Sequence, residues 1–158
     1  MSSSLTYIVH GDLLASPAHT LVNTVNCMGV MGAGLAKQFK AQYPLCYEPR
    51  YTHLCATHAF KPGTFQIVRE YLPTHLILNA STKDHWRQDA RIAWVESILV
   101  RIERDFTLLD MRSLAISKLG CGNGGLQWSD VGPLMVHYLK CIDAPISIYV
   151  NAGDVQYS

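Results

Sequence analysis

Three short segments of this 158-residue chain combine residue types and spacings that could do chemistry. The first is Gly29-Val30-Met31-Gly32-Ala33-Gly34, set between an apolar run that ends at Asn26 and a helical pattern that opens at Leu35. In that order of strand, glycine loop and helix start, main-chain N–H groups and the positive end of a helix dipole can approach an anion, and phosphate suits them. The spacing is not the dinucleotide Gly-x-Gly-x-x-Gly, because its third glycine comes too early. Taken alone, the loop is equally a tight turn with no ligand.

The second segment, Gly120-Cys121-Gly122-Asn123-Gly124-Gly125, is followed by Leu126 and lies between a strand pattern and the last helical pattern. Four glycines in six residues can present successive amide donors as a concave nest. In an α/β sheet, ligands gather where loops leave the carboxyl ends of strands. Two such loops imply a ligand with a diphosphate, such as ADP-ribose, and a flexible unliganded loop is the alternative.

The third segment is Thr82-Lys83-Asp84-His85-Trp86-Arg87, just after a strand pattern. Burial and neighbouring cations can free a lysine amine to act as nucleophile or acid/base group. The plainer reading of Lys83 is a solvated surface charge, and Trp86 and Arg87 could cap the next helix. Asp12, after Gly11 at the end of the first strand pattern, could accept a hydrogen bond from an exocyclic amine such as that of adenine, or could cap a turn. Asn23 and Asn26 interrupt an apolar strand; Asn26 could bond a sugar hydroxyl or shape a turn.

These segments need elements to hold them. Apolar β-rich runs at residues 5–10, 20–25, 64–68, 75–79, 113–117 and 146–150 predict six short strands. Ile92, Val95, Leu99, Ile102 and Phe106 mark one face of a helix that should cover the sheet. A second helix over residues 35–43 carries Leu35, Phe39 and Tyr43 and stops before Pro44. A third is expected over residues 47–57. The last begins near Ser129, with Pro133 tolerable only near its first turn. Strands alternating with helices predict a layered α/β domain, and the length predicts one domain over residues 1–158.

Composition excludes several classes. Hydrophobic residues make up 49% and charged ones 16%, which is material for a packed core and not for disorder. A formal net charge of +1, with scattered Lys and Arg, does not suit a protein that grips long nucleic acid; a short strand end or one modified base is compatible. The start MSSSLTYIVHGD lacks the pattern of a signal peptide, and no run approaches a membrane span, so the expected location is the cytoplasm. Five cysteines without Cys-x-x-Cys spacing predict reduced thiols and no zinc site. Cys46, His53, Cys55 and His58 are read as packed cysteines and surface histidines, since helix turns do not converge all four on one ion.

Together, the segments resemble the macrodomain family from Thr6 to Val150. The stretches Val22-Asn23-Thr24-Val25-Asn26-Cys27, Val30-Met31-Gly32-Ala33-Gly34-Leu35-Ala36, Gln38-Phe39-Lys40, Thr82-Lys83-Asp84-His85-Trp86-Arg87 and Gly120 to Trp128 look like its DNA ADP-ribosyl glycohydrolase (DarG-type) antitoxin branch. The resemblance implies a three-layer sandwich, a mixed six-stranded sheet flanked by helices. It implies a hydrolase in which Asp12 and Leu13 meet the adenine, Asn26 the distal ribose, and Gly32, Ala33, Gly34, Leu35, Gly120, Cys121, Gly122, Asn123, Gly124, Gly125 and Leu126 the diphosphate and distal ribose. Lys83 falls on the branch's catalytic lysine, and no cofactor or metal is implied. The implied substrate is thymidine-linked ADP-ribose in single-stranded DNA, and the implied partner a DNA ADP-ribosyltransferase toxin. Relatives that act on glutamate-linked protein ADP-ribose carry an aspartate where this chain has Gly124. Small derivatives such as O-acetyl-ADP-ribose or the 1-phosphate, and plain ADP-ribose reading, are the other activities the family offers. Ala33 stands where many antitoxin relatives have lysine. The chain is expected to be an isolated domain or a standalone relative.

Overall fold

The computed structural model describes residues 4–71 and 74–158; the first three residues of the N-terminal stretch discussed above lie outside it. Six strands, β1 (Ser4–Val9), β2 (Thr20–Val25), β3 (Phe65–Tyr71), β4 (Thr74–Ser81), β5 (Leu114–Ser117) and β6 (Pro145–Val150), form one mixed sheet in the order β1-β6-β5-β2-β4-β3. Every neighbouring pair is parallel except β3 with β4. Parallel strands need crossover connections, and the helices α1 (Gly34–Gln42), α2 (Arg50–Ala56), α3 (Ile92–Asp105) and α4 (Trp128–Leu139) lie in them. This is the expected α/β sandwich.

Strand alternation sends side chains to two cores, one on each face of the sheet. In β2, Val22 joins the core under α3 and α4, where Val95, Ile98, Leu99, Ile102, Val131, Met135 and Leu139 pack. Its neighbours Leu21 and Val25 face the other way, with Phe39 of α1 and Tyr51 and Cys55 of α2. Asn23 shares that second face. Its amide donates to Asn79 Oδ1 at 3.1 Å, and Asn79 donates to the Cys46 carbonyl at 2.8 Å, so the break in the apolar pattern is a buried amide chain.

Boundaries differ from the sequence expectations for local reasons. The first strand stops at Val9 because His10 takes a left-handed conformation, φ 56°. The helix expected over residues 47–57 starts only at Arg50, since Glu48 precedes Pro49 and helical geometry is disfavoured there. Ile92, expected on the buried face of α3, opens that helix and is exposed. Pro133 sits in the second turn of α4, beyond the first turn to which it was assigned. The cost is small because Pro133 and Ser129, whose carbonyl loses its helical donor, both face solvent.

Candidate active site

The strand order reverses its sense between β2 and β5. After β2 the chain runs to α1 on one face, and after β5 it runs to α4 on the other, so the two departing loops splay apart and leave a crevice at the strands' carboxyl ends. A cleft of about 920 Å³ occupies that position. Gly32, Ala33, Gly34 and Leu35 line one wall, and Gly120, Cys121, Gly122, Asn123 and Gly124 the other. Asn26 and Lys83 complete the set of sequence-predicted residues that meet there.

Four predicted residues are not in its walls. Asp12 caps a short helix, accepting the Leu14 N–H at 3.1 Å through Oδ1, and Leu13 is buried in the second core. Gly125 is held against the Asp89 carboxylate, where a Cβ would come within 3.0 Å of Oδ1. Leu126 donates its N–H to the Gly120 carbonyl at 2.9 Å and closes the loop from behind. These last two shape the second loop without facing the cleft.

The walls present donors. Ala33, the N-cap of α1, has no capping side-chain hydrogen bond, and among the described residues the N–H groups of Gly34, Leu35 and Ala36 have no acceptor. The N–H groups of Gly122, Asn123 and Gly124 are equally unpaired. A helix start leaves its first N–H groups free, and here three such groups and three from the second loop belong to residues that line one crevice, an arrangement that can hold an anion. The two walls also touch: a Cβ on Gly34, whose φ is +57°, would meet Asn123 Nδ2 at 2.8 Å.

Asn26 has the turn-shaping role. Its Nδ2 donates to the Val30 carbonyl at 2.8 Å, and its Oδ1 accepts the Met28 N–H at 2.9 Å. The buried Tyr51 hydroxyl donates to the Asn26 carbonyl at 2.8 Å. One N–H of the Asn26 amide remains for a ligand. Burial pushes the Tyr51 hydroxyl's pKa far above its ordinary value, so it stays a donor.

Lys83 leaves β4 at the rim, its ammonium 3.5 Å from the Trp86 carbonyl. Its segment is sewn to the first loop, because the Cys27 N–H donates to the Asp84 carbonyl at 2.9 Å and the Cys27 thiol to the Lys83 carbonyl at 3.6 Å. Trp86 and Arg87 do not cap α3, which begins at Ile92; the Trp86 side chain lines the cleft. Burial pushes the Cys121 thiol up to about 11 despite the opposing pull of Lys118, which favours the protonated thiol.

A family model for the macro domain matches residues 22–135, which covers both glycine loops and the Lys83 segment. The chain belongs to the macrodomain family. This macrodomain is 38% identical over 147 residues to a DNA ADP-ribosyl glycohydrolase of Mycobacterium tuberculosis, covering 90% of this chain and 41% of that protein. It therefore spans about two fifths of the curated relative's length. Among solved structures it is similar to the macrodomain of Mycobacterium tuberculosis DarG, with a TM-score of 0.82, 37% identity, and coverage of 92% and 97% of the two chains. It is also similar to Thermosipho africanus DarTG in complex with ADP-ribose, with a TM-score of 0.88, 31% identity, and coverage of 100% and 45%.

The macrodomain cleft also holds residues the sequence reading passed over. Lys118 lies in its lining and pairs with Asp154 at 2.8 Å, and Tyr149 and Asn151 enter from the end of β6. Gly11 makes room for Tyr149: a Cβ there would come within 2.9 Å of the ring. A Gly-Asp pair at one strand end and a tyrosine at the end of a parallel neighbour was the available signal, and it becomes meaningful only once β1 is known to pair with β6.

Proposed function

We infer that this macrodomain binds ADP-ribose in the cleft and releases it from thymidine in single-stranded DNA, reversing the action of a DNA ADP-ribosyltransferase toxin. One observation carries the reading: six unpaired main-chain N–H groups, three at the start of α1 and three in the second glycine loop, belong to residues that line one crevice together with Lys83. Support comes from the relatives, one named a DNA ADP-ribosyl glycohydrolase and another solved with ADP-ribose. The two walls take the diphosphate. Asp12 and Leu13, which lie outside the cleft walls, are assigned to the adenine by the family resemblance, and Asn26, within them, to the distal ribose.

Held in this way, the distal ribose turns its anomeric carbon to Lys83. Once its ammonium has given a proton to solvent, the amine attacks that carbon or assists opening of the ribose ring, the carbon–nitrogen bond breaks with its electron pair going to the base, which takes up a proton, and water then frees the lysine and returns ADP-ribose. Correct placement of the reacting groups can contribute roughly 7–11 kcal/mol to such a step. The glutamate-directed alternative lacks its aspartate for a steric reason. At Gly124 a Cβ would collide with the Gly120 carbonyl oxygen and lie 2.8 Å from the Gly120 carbonyl carbon, so this position has no room for a side chain.

No helix among the described residues is long and apolar enough to cross a membrane, and the five cysteines are free; the reading places the protein in the cytoplasm. Lys83→Ala should lower turnover of thymidine-modified single-stranded DNA by about a hundredfold or more while ADP-ribose affinity stays within about threefold. Equal turnover by wild type and variant rejects Lys83 as the reacting group. Faster release from glutamate-modified protein than from DNA rejects the substrate.

A further inference from the structure

Beyond Lys83 lies a feature that a diphosphate cleft does not use. The Trp86 indole is 46% exposed. The His85 ring is stacked on it with centroids 5.3 Å apart and planes 28° from parallel, and the Arg87 guanidinium carbon sits 4.6 Å from the indole centre. The stack is braced from within. His85 Nδ1 accepts the Arg87 N–H at 3.1 Å, and the Gln88 N–H donates to the His85 carbonyl at 3.0 Å. The Trp86 carbonyl is the group 3.5 Å from the Lys83 ammonium, which fixes the stack beside the reacting amine.

Even with His85 and Arg87 against it, nearly half of Trp86 stays open to solvent, although burying so large a ring is strongly favourable. Its place says what could cover it. Trp86 and the exposed Val30 line the same cleft as the diphosphate walls, so whatever the anomeric carbon carries must pass this rim. An exposed aromatic ring with a guanidinium beside it matches a flat π-system joined to a phosphate.

We propose that the His85–Trp86–Arg87 stack is the platform on which this macrodomain receives a nucleobase of single-stranded DNA, with Arg87 toward the phosphate of that nucleotide. This rests on the reading that the cleft takes DNA-linked ADP-ribose, and it assigns Trp86 as a positioning residue for that substrate. A net charge of +1 fits a protein that holds a strand by stacking at one point and not along a basic groove.

The test uses an unmodified, fluorescently labelled, thymidine-rich strand of about ten nucleotides, with anisotropy read in the presence of ADP-ribose. Trp86→Ala should weaken strand binding about tenfold, and Trp86→Phe, which keeps a flat ring, should restore most of it. ADP-ribose affinity by calorimetry should move less than about threefold in both variants. On the modified strand, Trp86→Ala should raise KM more than it lowers kcat. Equal strand affinity in wild type and Trp86→Ala overturns the platform, and so does a loss that phenylalanine fails to recover. Trp86-dependent strand binding by a wild type that releases no ADP-ribose supports the platform and removes the glycohydrolase reading instead.

Discussion

In the first glycine loop the bracing comes from side chains outside it: the Asn26 amide spans from residue 26 to Val30, and Tyr51 holds the Asn26 carbonyl from α2. In the second, the chain braces itself, with Cys121 N–H to the Lys118 carbonyl, Gly125 N–H to the Gly122 carbonyl and Leu126 N–H to the Gly120 carbonyl. A self-braced loop packs backbone on backbone, so it needs glycines for folding. At Gly124 a Cβ would strike the Gly120 backbone, and Gly120 and Gly125 have φ of +72° and +77°. A side-chain-braced loop needs fewer. Gly32 and Gly122 stand apart from both schemes: neither has a positive φ, a Cβ on Gly32 would meet nothing nearer than 3.5 Å, and one on Gly122 nothing within 4 Å. The fold does not ask for glycine at either position, and both line the cleft, so close approach of a ligand is the demand left.

The difference can be broken most forcefully at Gly124. Gly124→Ala forces the second loop's backbone apart and should cost about 3 kcal/mol of stability, lowering Tm by roughly 6–12 °C in a thermal melt. Asn26→Ala strips the first loop of its brace and leaves the Val30 carbonyl and Met28 N–H without their partner; a loss of about 2 kcal/mol is expected in urea unfolding. An unchanged midpoint in either variant would show that the bracing assigned to that loop is wrong.

Gly122→Val should do the opposite of Gly124→Ala. Stability should change by less than about 0.5 kcal/mol, while ADP-ribose affinity measured by calorimetry falls about tenfold or more. Intact affinity would return Gly122 to the class of ordinary loop glycines.

The smallest expected effect is one of sign. On the side of α1 and α2, burial holds the Glu70 carboxyl above its usual 4.5, with only the Cys46 and Leu45 N–H groups pulling it back. Beside the second loop, the Lys118 hydrogen bond and the Asn151 N–H hold Asp154 below its usual 3.8. The native state therefore binds a proton at Glu70 more tightly than the unfolded chain, and ionisation above about pH 4.5 erodes stability. At Asp154 the native state favours the charge, so that support is present above about pH 3.8 and disappears as acid protonates it. In Tm measured from about pH 2 to pH 7, Glu70→Gln should gain on the wild type as pH rises above about 4.5, and Asp154→Asn should fall behind it as pH rises from about 2 to 4. Parallel curves for all three proteins would remove both assignments.

The glycine-rich segments were legible in the sequence because their composition departs so far from what turns need, whereas Lys83, by itself an ordinary surface lysine, was singled out only by the family resemblance of its segment. The strands and the helix that covers them were legible too, from apolar β-rich runs and the helical stripe of α3; that the core is split between the two faces of the sheet was not. Trp86, Lys118, Tyr149 and Asn151 were not legible as cleft residues. Each is an ordinary residue type at a strand end or in a loop, and only neighbours from distant segments give it meaning. Gly125 and Leu126 were assigned to the ligand, and in the structure their N–H groups go to the Gly122 and Gly120 carbonyls, since a run of glycines does not reveal which amides are spent on closing the loop.

What the sequence determined by itself was the inventory: six strands and their helices, glycines where main chain must come close, an amine at a strand end. Hydrophobic periodicity and glycine's missing Cβ are local properties, so they can be read locally. What tertiary structure decided was the meeting. Placing β5 beside β2, with their helices on opposite faces, points two loops some ninety residues apart at one crevice. Long-range pairing of that kind is set by how whole faces pack, and no window along the chain contains it.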